Sequence, residues 1–123
     1  MILGLGIDLC SIERMKSFCS SEAFRRRVFT PEELEYSGDG KNSMAHMAAA
    51  FAAKEAFAKA TGLGLSGTGL RNVSVAHTEG GRPFLRLNPE AEQLKPFLSG
   101  SFHLSISHDA GVAAAVVIYE KGD

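Results

Sequence analysis

Residues 44–60 read MAHMAAAFAAKEAFAKA, and this run decides how the rest of the chain is arranged. It is mostly Ala with Lys, Glu, Met and Phe, residues that lose little on entering a helix, and Gly62 and Gly64 stop it. At about 100° per residue, Met44, Met47, Ala48, Phe51, Glu55 and Ala58 fall on one stripe with Glu55 near its centre. Ala49, Ala53, Ala56 and Phe57 cover the opposite side, so the helix is apolar nearly all round and expected to be buried. An ionised carboxylate in such a helix is costly unless it is paired or bound to metal. Two arrangements answer that cost. Lys59 sits four residues after Glu55, the favourable order for an internal ion pair. Alternatively, Glu55 meets a second carboxylate from another element and the two hold a cation.

Asp8 is the second carboxylate. Residues 1–10, MILGLGIDLC, alternate as a strand, with Met1, Leu3, Leu5, Ile7 and Leu9 on one face and Ile2, Gly4, Gly6, Asp8 and Cys10 on the other. Two glycines in a row ending at a carboxylate leave space beside exposed backbone, which reads as room for a ligand. Asp8 and Glu55 facing each other across glycine would suit Mg²⁺, which takes one or two carboxylates and completes its shell with water and substrate phosphate. Lys54 and Lys59 flank Glu55, and the amides of Gly62-Leu63-Gly64 can approach phosphate. The chemistry implied is phosphoryl or phosphodiester transfer.

Between strand and helix, Ser11 and Ser21 are N-caps for two short helices, and Thr30-Pro31-Glu32-Glu33 is a capping box with Pro at the first helical position. Gly38-Asp39-Gly40 ends the third helix. Beyond a loop, Arg71–Thr78 and Arg82–Asn88 read as a hairpin across Glu79-Gly80-Gly81. A short helix is expected from Asn88-Pro89-Glu90 to just before Pro96. Phe102–His108 and Val112–Tyr119 read as strands joined at Asp109-Ala110-Gly111. This order specifies an α+β fold, a small antiparallel sheet packed with the long Ala-rich helix, as a single domain over 1–123.

Composition narrows the function classes. The 123 residues are 45% hydrophobic and 22% charged with a formal net charge of −1, which speaks against a nucleic-acid binder. The two cysteines, Cys10 and Cys19, form neither a CxxC motif nor a disulfide framework. The opening apolar run lacks a basic flank and is cut by Asp8, and nothing approaches the ~20 apolar residues of a membrane span. A cytoplasmic protein is expected. Residues 10–30 carry Arg14, Lys16, Arg25, Arg26 and Arg27 against Glu13 and Glu22, a locally positive face suited to an acidic partner. His46, His77 and His103 have no ligand spacing and are expected at the surface or hydrogen-bonded. Cys10 is read as a packed side chain rather than a nucleophile.

Five stretches together carry a resemblance: GIDLCSIERM at 6–15, FTPEELEY at 29–36, FAAKEAFAKA at 51–60 followed by GLG, the Gly81-Arg82-Pro83 turn, and SISH at 105–108. They resemble, in order and over essentially the whole chain, the short 4′-phosphopantetheinyl transferases of the holo-acyl-carrier-protein synthase family. The resemblance implies transfer of phosphopantetheine from coenzyme A to a serine of apo-acyl carrier protein, releasing 3′,5′-ADP, for fatty acid biosynthesis. It implies that Asp8 and Glu55 bind Mg²⁺, that Lys54 and Lys59 lie by the phosphates with Lys59 a proton donor to the leaving group, and that Gly62 and Gly64 line the site. It implies that His108 lies near the nucleotide end of coenzyme A, that Arg14 docks the carrier protein, and that three sites are shared between subunits of a homotrimer; Arg25, on the same basic face, is a second candidate for the carrier. One departure stands out: the family places an arginine before the Phe of its FAxKEA motif, where this chain has Ala50. The rival readings are a non-catalytic module binding coenzyme A or a carrier protein, and a Mg²⁺ enzyme acting on a nucleotide diphosphate.

Overall fold

Each short helix of the first third begins where a side chain takes up an amide that the helix leaves unpaired. A computed structural model describes residues 1–122, in which strand β1 (Ile2–Ser11) leads into α1 (Ile12–Phe18), α2 (Glu22–Val28) and α3 (Pro31–Ser37). Ser11 Oγ accepts from Arg14 N, Ser21 Oγ from Phe24 N, and Thr30 and Glu33 close a capping box on α3 with Pro31 at its first position. The Ala-rich helix α4 (Ser43–Thr61) is buried along most of its length, and Gly62, in the left-handed conformation at φ 77°, ends it.

Strands β1, β5 (Val112–Glu120) and β4 (Ser101–Asp109) form an antiparallel sheet in the order β1-β5-β4, with Leu5 opposite Ile118 and Val117 opposite Leu104. A separate hairpin pairs β2 (Val73–His77) with β3 (Pro83–Leu87). Helix α4 lies across one face of the three-stranded sheet, where Ala113, Ala115 and Val117 are buried. On β1 the face turned to the helix is the glycine face. A Cβ on Gly4 would run into the Ala60 carbonyl and one on Gly6 into the Ala56 carbonyl. The expected ligand space beside these glycines is therefore absent. They let strand and helix backbones touch, and that contact brings Asp8 to the last turn of α4.

The opposite face of β1 is left uncovered. Leu5, Ile7 and Leu9 are 63%, 61% and 65% exposed, and they continue across the sheet into Ile118, Val116 and Ala114.

Three segments differ from the sequence reading. The expected loop after α4 contains α5 (Gly64–Thr68) and a 3-10 turn at Leu70–Asn72, with Thr68 Oγ1 donating to the Gly64 carbonyl. The expected helix from 88 to before 96 is instead a turn followed by a 3-10 segment, Glu92–Phe97, that contains Pro96. Asn88 Oδ1 accepts from Glu90 N and closes a local turn, so regular structure begins only after Ala91. The hairpin strands are also shorter than expected, because Arg71 and Asn72 belong to the 3-10 turn.

Candidate active site

Lys59 decides which arrangement Glu55 adopts. Its Nζ donates to Asp8 Oδ1 at 2.9 Å and to the Ile7 carbonyl at 3.0 Å, bridging α4 to β1. Its ion pair is with Asp8, so of the two arrangements the internal pair with Glu55 does not form, and among the described residues no cation pairs with Glu55. The Asp8 hydrogen bond, foremost, holds the Lys59 ammonium above its ordinary range.

Glu55 is half-buried on the same side of α4. Burial first, and then the Asp8 carboxylate as hydrogen-bond partner and like charge, push its carboxyl up to about 7, against the opposing pull of Lys59 and Arg14. Two carboxylates thus meet, and the one lysine at hand is bonded to Asp8. Beside them runs a groove of about 360 Å³ lined by Glu55, Ala58, Lys59, Gly62, Gly64 and Leu65. Among the described residues no cluster of three or more His, Cys, Asp or Glu gathers anywhere. Two carboxylates short of positive charge fit a hard divalent cation that draws its remaining ligands from water and phosphate, so the donor set suits Mg²⁺.

Lys54 corrects the sequence reading. It faces away from this groove, 1% exposed, with Nζ 2.7 Å from Glu33 Oε1 and donating to the carbonyls of Leu70 and Val73 at 2.7 and 2.8 Å. Burial pushes its ammonium down and Glu33 pushes it back up. All its donors are committed inside the protein, so it has none for a phosphate. Glu33 is equally occupied: Oε1 also accepts from Thr30 N and Oε2 from Val75 N at 2.7 Å. The sequence showed Glu33 only as a capping residue; its second oxygen and its lysine partner have no local signature.

Arg14 stands exposed on α1, its guanidinium 5.7 Å from the Phe18 ring and near enough to Glu55 to pull that carboxyl down. Arg25 is partly committed: its Nη1 donates to the Cys19 carbonyl and braces the turn between α1 and α2. Arg26 pairs with Glu22 at 2.9 Å. The Cys10 thiol is pushed up to about 11 by burial first and Glu55 second, so it carries no thiolate.

His108 is not near Glu55. It lines a separate cavity of about 210 Å³ with Tyr36, His46, Ala50 and His77, between α3, the first half of α4, the hairpin and the end of β4. His46 and Glu55 are nine residues apart, which at about 100° per residue sets them on opposite sides of α4. His46 and His77 were expected at the surface or hydrogen-bonded. Each instead has a buried Nδ1 with no partner, and the Tyr36 ring packs against both imidazoles. His103 does hydrogen-bond, to Glu120 at 3.0 Å.

Comparison with known proteins agrees over the whole chain. The holo-[acyl-carrier-protein] synthase of Treponema denticola is 46% identical over 122 residues, covering 98% of this chain and 99% of the relative. The crystal structure of a holo-(acyl-carrier-protein) synthase from Bacillus anthracis, in complex with CoA (3′,5′-ADP), superposes with a TM-score of 0.85 at 30% identity over 99% of both chains. That of holo-[acyl-carrier-protein] synthase from Neisseria meningitidis gives 0.84 at 34% identity, over 98% of this chain and 100% of the other. Residues 4–117, which hold most of β1 with Asp8, all of α4 and the first two-thirds of β5, match the model of the 4′-phosphopantetheinyl transferase superfamily, and the chain belongs to that superfamily.

Proposed function

We propose that the chain transfers 4′-phosphopantetheine from coenzyme A to a serine hydroxyl of an apo-acyl carrier protein, giving holo-acyl carrier protein and 3′,5′-ADP. The observation that carries this reading is the Asp8–Glu55 pair: two carboxylates from different elements, short of positive charge, at the rim of an open groove, in a chain of this superfamily. In the reaction the serine Oγ forms a bond to the phosphorus next to pantetheine. The anhydride bond to the adenosine 5′-phosphate breaks, and 3′,5′-ADP leaves.

Asp8 and Glu55 would hold Mg²⁺, which when bound neutralises the pyrophosphate and the charge that develops on the leaving oxygen. The chain's own residues supply the rest. Lys59 stands exposed at the groove and gives a positive charge and a proton to the leaving phosphate. The serine proton passes to a Glu55 oxygen or to water bonded to it. Gly62 and Gly64, at φ 77° and 72°, have open space where side chains would stand, so substrate phosphate meets backbone there. Arg14 and Lys16 on exposed α1 present a basic face to an acidic carrier protein.

Coenzyme A reaches both the carboxylates and the His108 cavity only if two copies share it, because within one chain these lie on opposite sides of α4. The uncovered Leu5, Ile7 and Leu9 face supplies an apolar surface for that assembly, which we read as a homotrimer with three shared sites. No helix among the described residues is long and apolar enough to cross a membrane. The reading places the enzyme in the cytoplasm, in fatty acid synthesis.

The test is to incubate the protein with coenzyme A, Mg²⁺ and an apo carrier, then weigh the carrier. We expect a gain of one phosphopantetheine that is lost with Glu55→Gln. An unmodified carrier alongside intact coenzyme A binding would make the chain a binding module, and nucleotide hydrolysis without a carrier would make it a different phosphotransfer enzyme.

A further inference from the structure

Lys59 stands where α4 and β1 touch, and backbone contact sets its place there. Gly4 and Gly6 meet the carbonyls of Ala60 and Ala56 with no room for a Cβ, so the last turns of α4 lie directly on β1. From there the Lys59 side chain crosses to the strand, where Nζ donates to Asp8 Oδ1 at 2.9 Å and to the Ile7 carbonyl at 3.0 Å. The Asp8 side chain is 14% exposed and that of Lys59 56%. The acid is held in the wall, while the ammonium that covers it has solvent to turn into. Lys54 has no such freedom, because its donors are spent on Glu33 and on the carbonyls of Leu70 and Val73.

Two cations compete for Asp8. In the protein alone its partner is Lys59. A divalent cation shared with Glu55 needs the same carboxylate at close contact, about 2.1 Å for Mg²⁺, and that sets the ammonium beside a doubly charged ion. With both acids ionised, Asp8, Glu55 and Lys59 together have one negative charge in excess. A divalent cation turns this into one positive charge in excess, and the ammonium is then the surplus. An anion in the groove lined by Glu55, Lys59, Gly62 and Gly64 would receive it. The bond to the Ile7 carbonyl does not involve Asp8, so the side chain can keep that anchor while its other N–H groups turn from Asp8 to the groove.

We propose that Lys59 is an exchangeable stand-in for the metal: its ammonium occupies Asp8 in the metal-free protein, and metal binding displaces it toward the groove, where it becomes available to substrate phosphate. The inference rests on the transferase reading above and deepens it. Lys59 is then delivered to the phosphate by the cation instead of standing ready, so a protein without metal keeps its phosphate lysine tied to β1.

The first measurement uses the unmutated protein at a single pH, without substrate. Scalar coupling across the Nζ–H···Oδ1 hydrogen bond, read by NMR between Lys59 Nζ and Asp8 Cγ, is expected in chelator and lost at saturating Mg²⁺. Coupling that persists with Mg²⁺, or that is absent in chelator, would overturn the proposal while leaving the transferase reading intact. The second measurement is a Mn²⁺ titration of the unmutated protein, Lys59→Met and Arg14→Gln, followed by the electron spin resonance of the free ion. Lys59→Met is expected to bind Mn²⁺ about 3- to 10-fold more tightly, the gain from removing a competitor that occupies the site about two-thirds to nine-tenths of the time. Arg14→Gln removes a cation that acts on Glu55 but is not bonded to Asp8, and should shift the affinity by less than about 2-fold. Equal affinity in Lys59→Met and the unmutated protein, or the same gain in Arg14→Gln, would overturn the exchange. A failure of all these proteins to bind Mn²⁺ would overturn the metal site of the transferase reading and the exchange with it.

Discussion

Two acid–lysine clusters flank α4 at neighbouring positions, and they are built in opposite ways. Lys54 and Glu33 are 1% and 2% exposed, 2.7 Å apart, with the remaining capacity of each taken by backbone groups of α3, β2 and the 3-10 turn. One residue on, Glu55 points about 100° further round the helix, where it meets Asp8, whose own partner is the exposed Lys59, beside an open groove. The first cluster is satisfied and closed, so it fixes the rotation and depth of α4. The second has surplus negative charge and access to solvent, the two properties that the proposed cation and phosphate would require. The motif KEAFAK contains both; its letters do not say which lysine does which job.

The sharpest way to break this contrast is to remove the closed lysine. Lys54→Met leaves Glu33 buried without its cation, and we expect a loss of about 3–5 kcal/mol of unfolding free energy in denaturant titration. Adding Glu33→Gln should recover part of it, because no unpaired charge then remains. A Lys54→Met protein of normal stability with impaired coenzyme A binding would return Lys54 to the phosphates.

That lysine also shows where the sequence stopped being informative. Capping at Ser11, Ser21 and Thr30, the left-handed stop at Gly62, the alternation of β1 and β4 and the apolar run of β5 are local, and all could be read from neighbouring residues. The α5 segment, rich in glycine, has no periodicity to reveal it, and Asn88 delays the expected helix through a side-chain turn. Asp8 and Glu55 were legible as candidates because a glycine row ending in a carboxylate and a carboxylate in an apolar helix each announced themselves, whereas the pairing of Lys59 with Asp8 was not. The role of Gly4 and Gly6 was not, since helix contact and ligand contact both require a missing Cβ. Nor was the pairing of residues 33 and 54, which depends on how α3 and α4 pack. The stacking of Tyr36 on His77 is likewise a product of tertiary structure.

The opposite substitution sharpens the contrast with a smaller effect. In the open cluster a carboxylate can be neutralised at no cost to the fold. Glu55→Gln relieves its repulsion with Asp8, and without metal it should leave stability unchanged or raise it by about 1 kcal/mol or less, while removing transfer activity. Thermal unfolding in chelator reads this directly. A marked loss of stability would mean that Glu55 is a structural residue like Glu33.

On the proposed function, the carboxylates on one side of α4 and the histidine cavity on the other are two halves of one site, supplied by different copies. Glu55→Gln disables the first half, and His108→Trp fills the second from its exposed rim. Each variant alone should be inactive. Chains unfolded together in equal amounts and refolded as mixed oligomers, verified by native mass measurement, should recover about a quarter of the unmutated activity, since half of the carboxylate halves then meet an intact cavity half of the time. Mixed oligomers that form and stay inactive would contradict it.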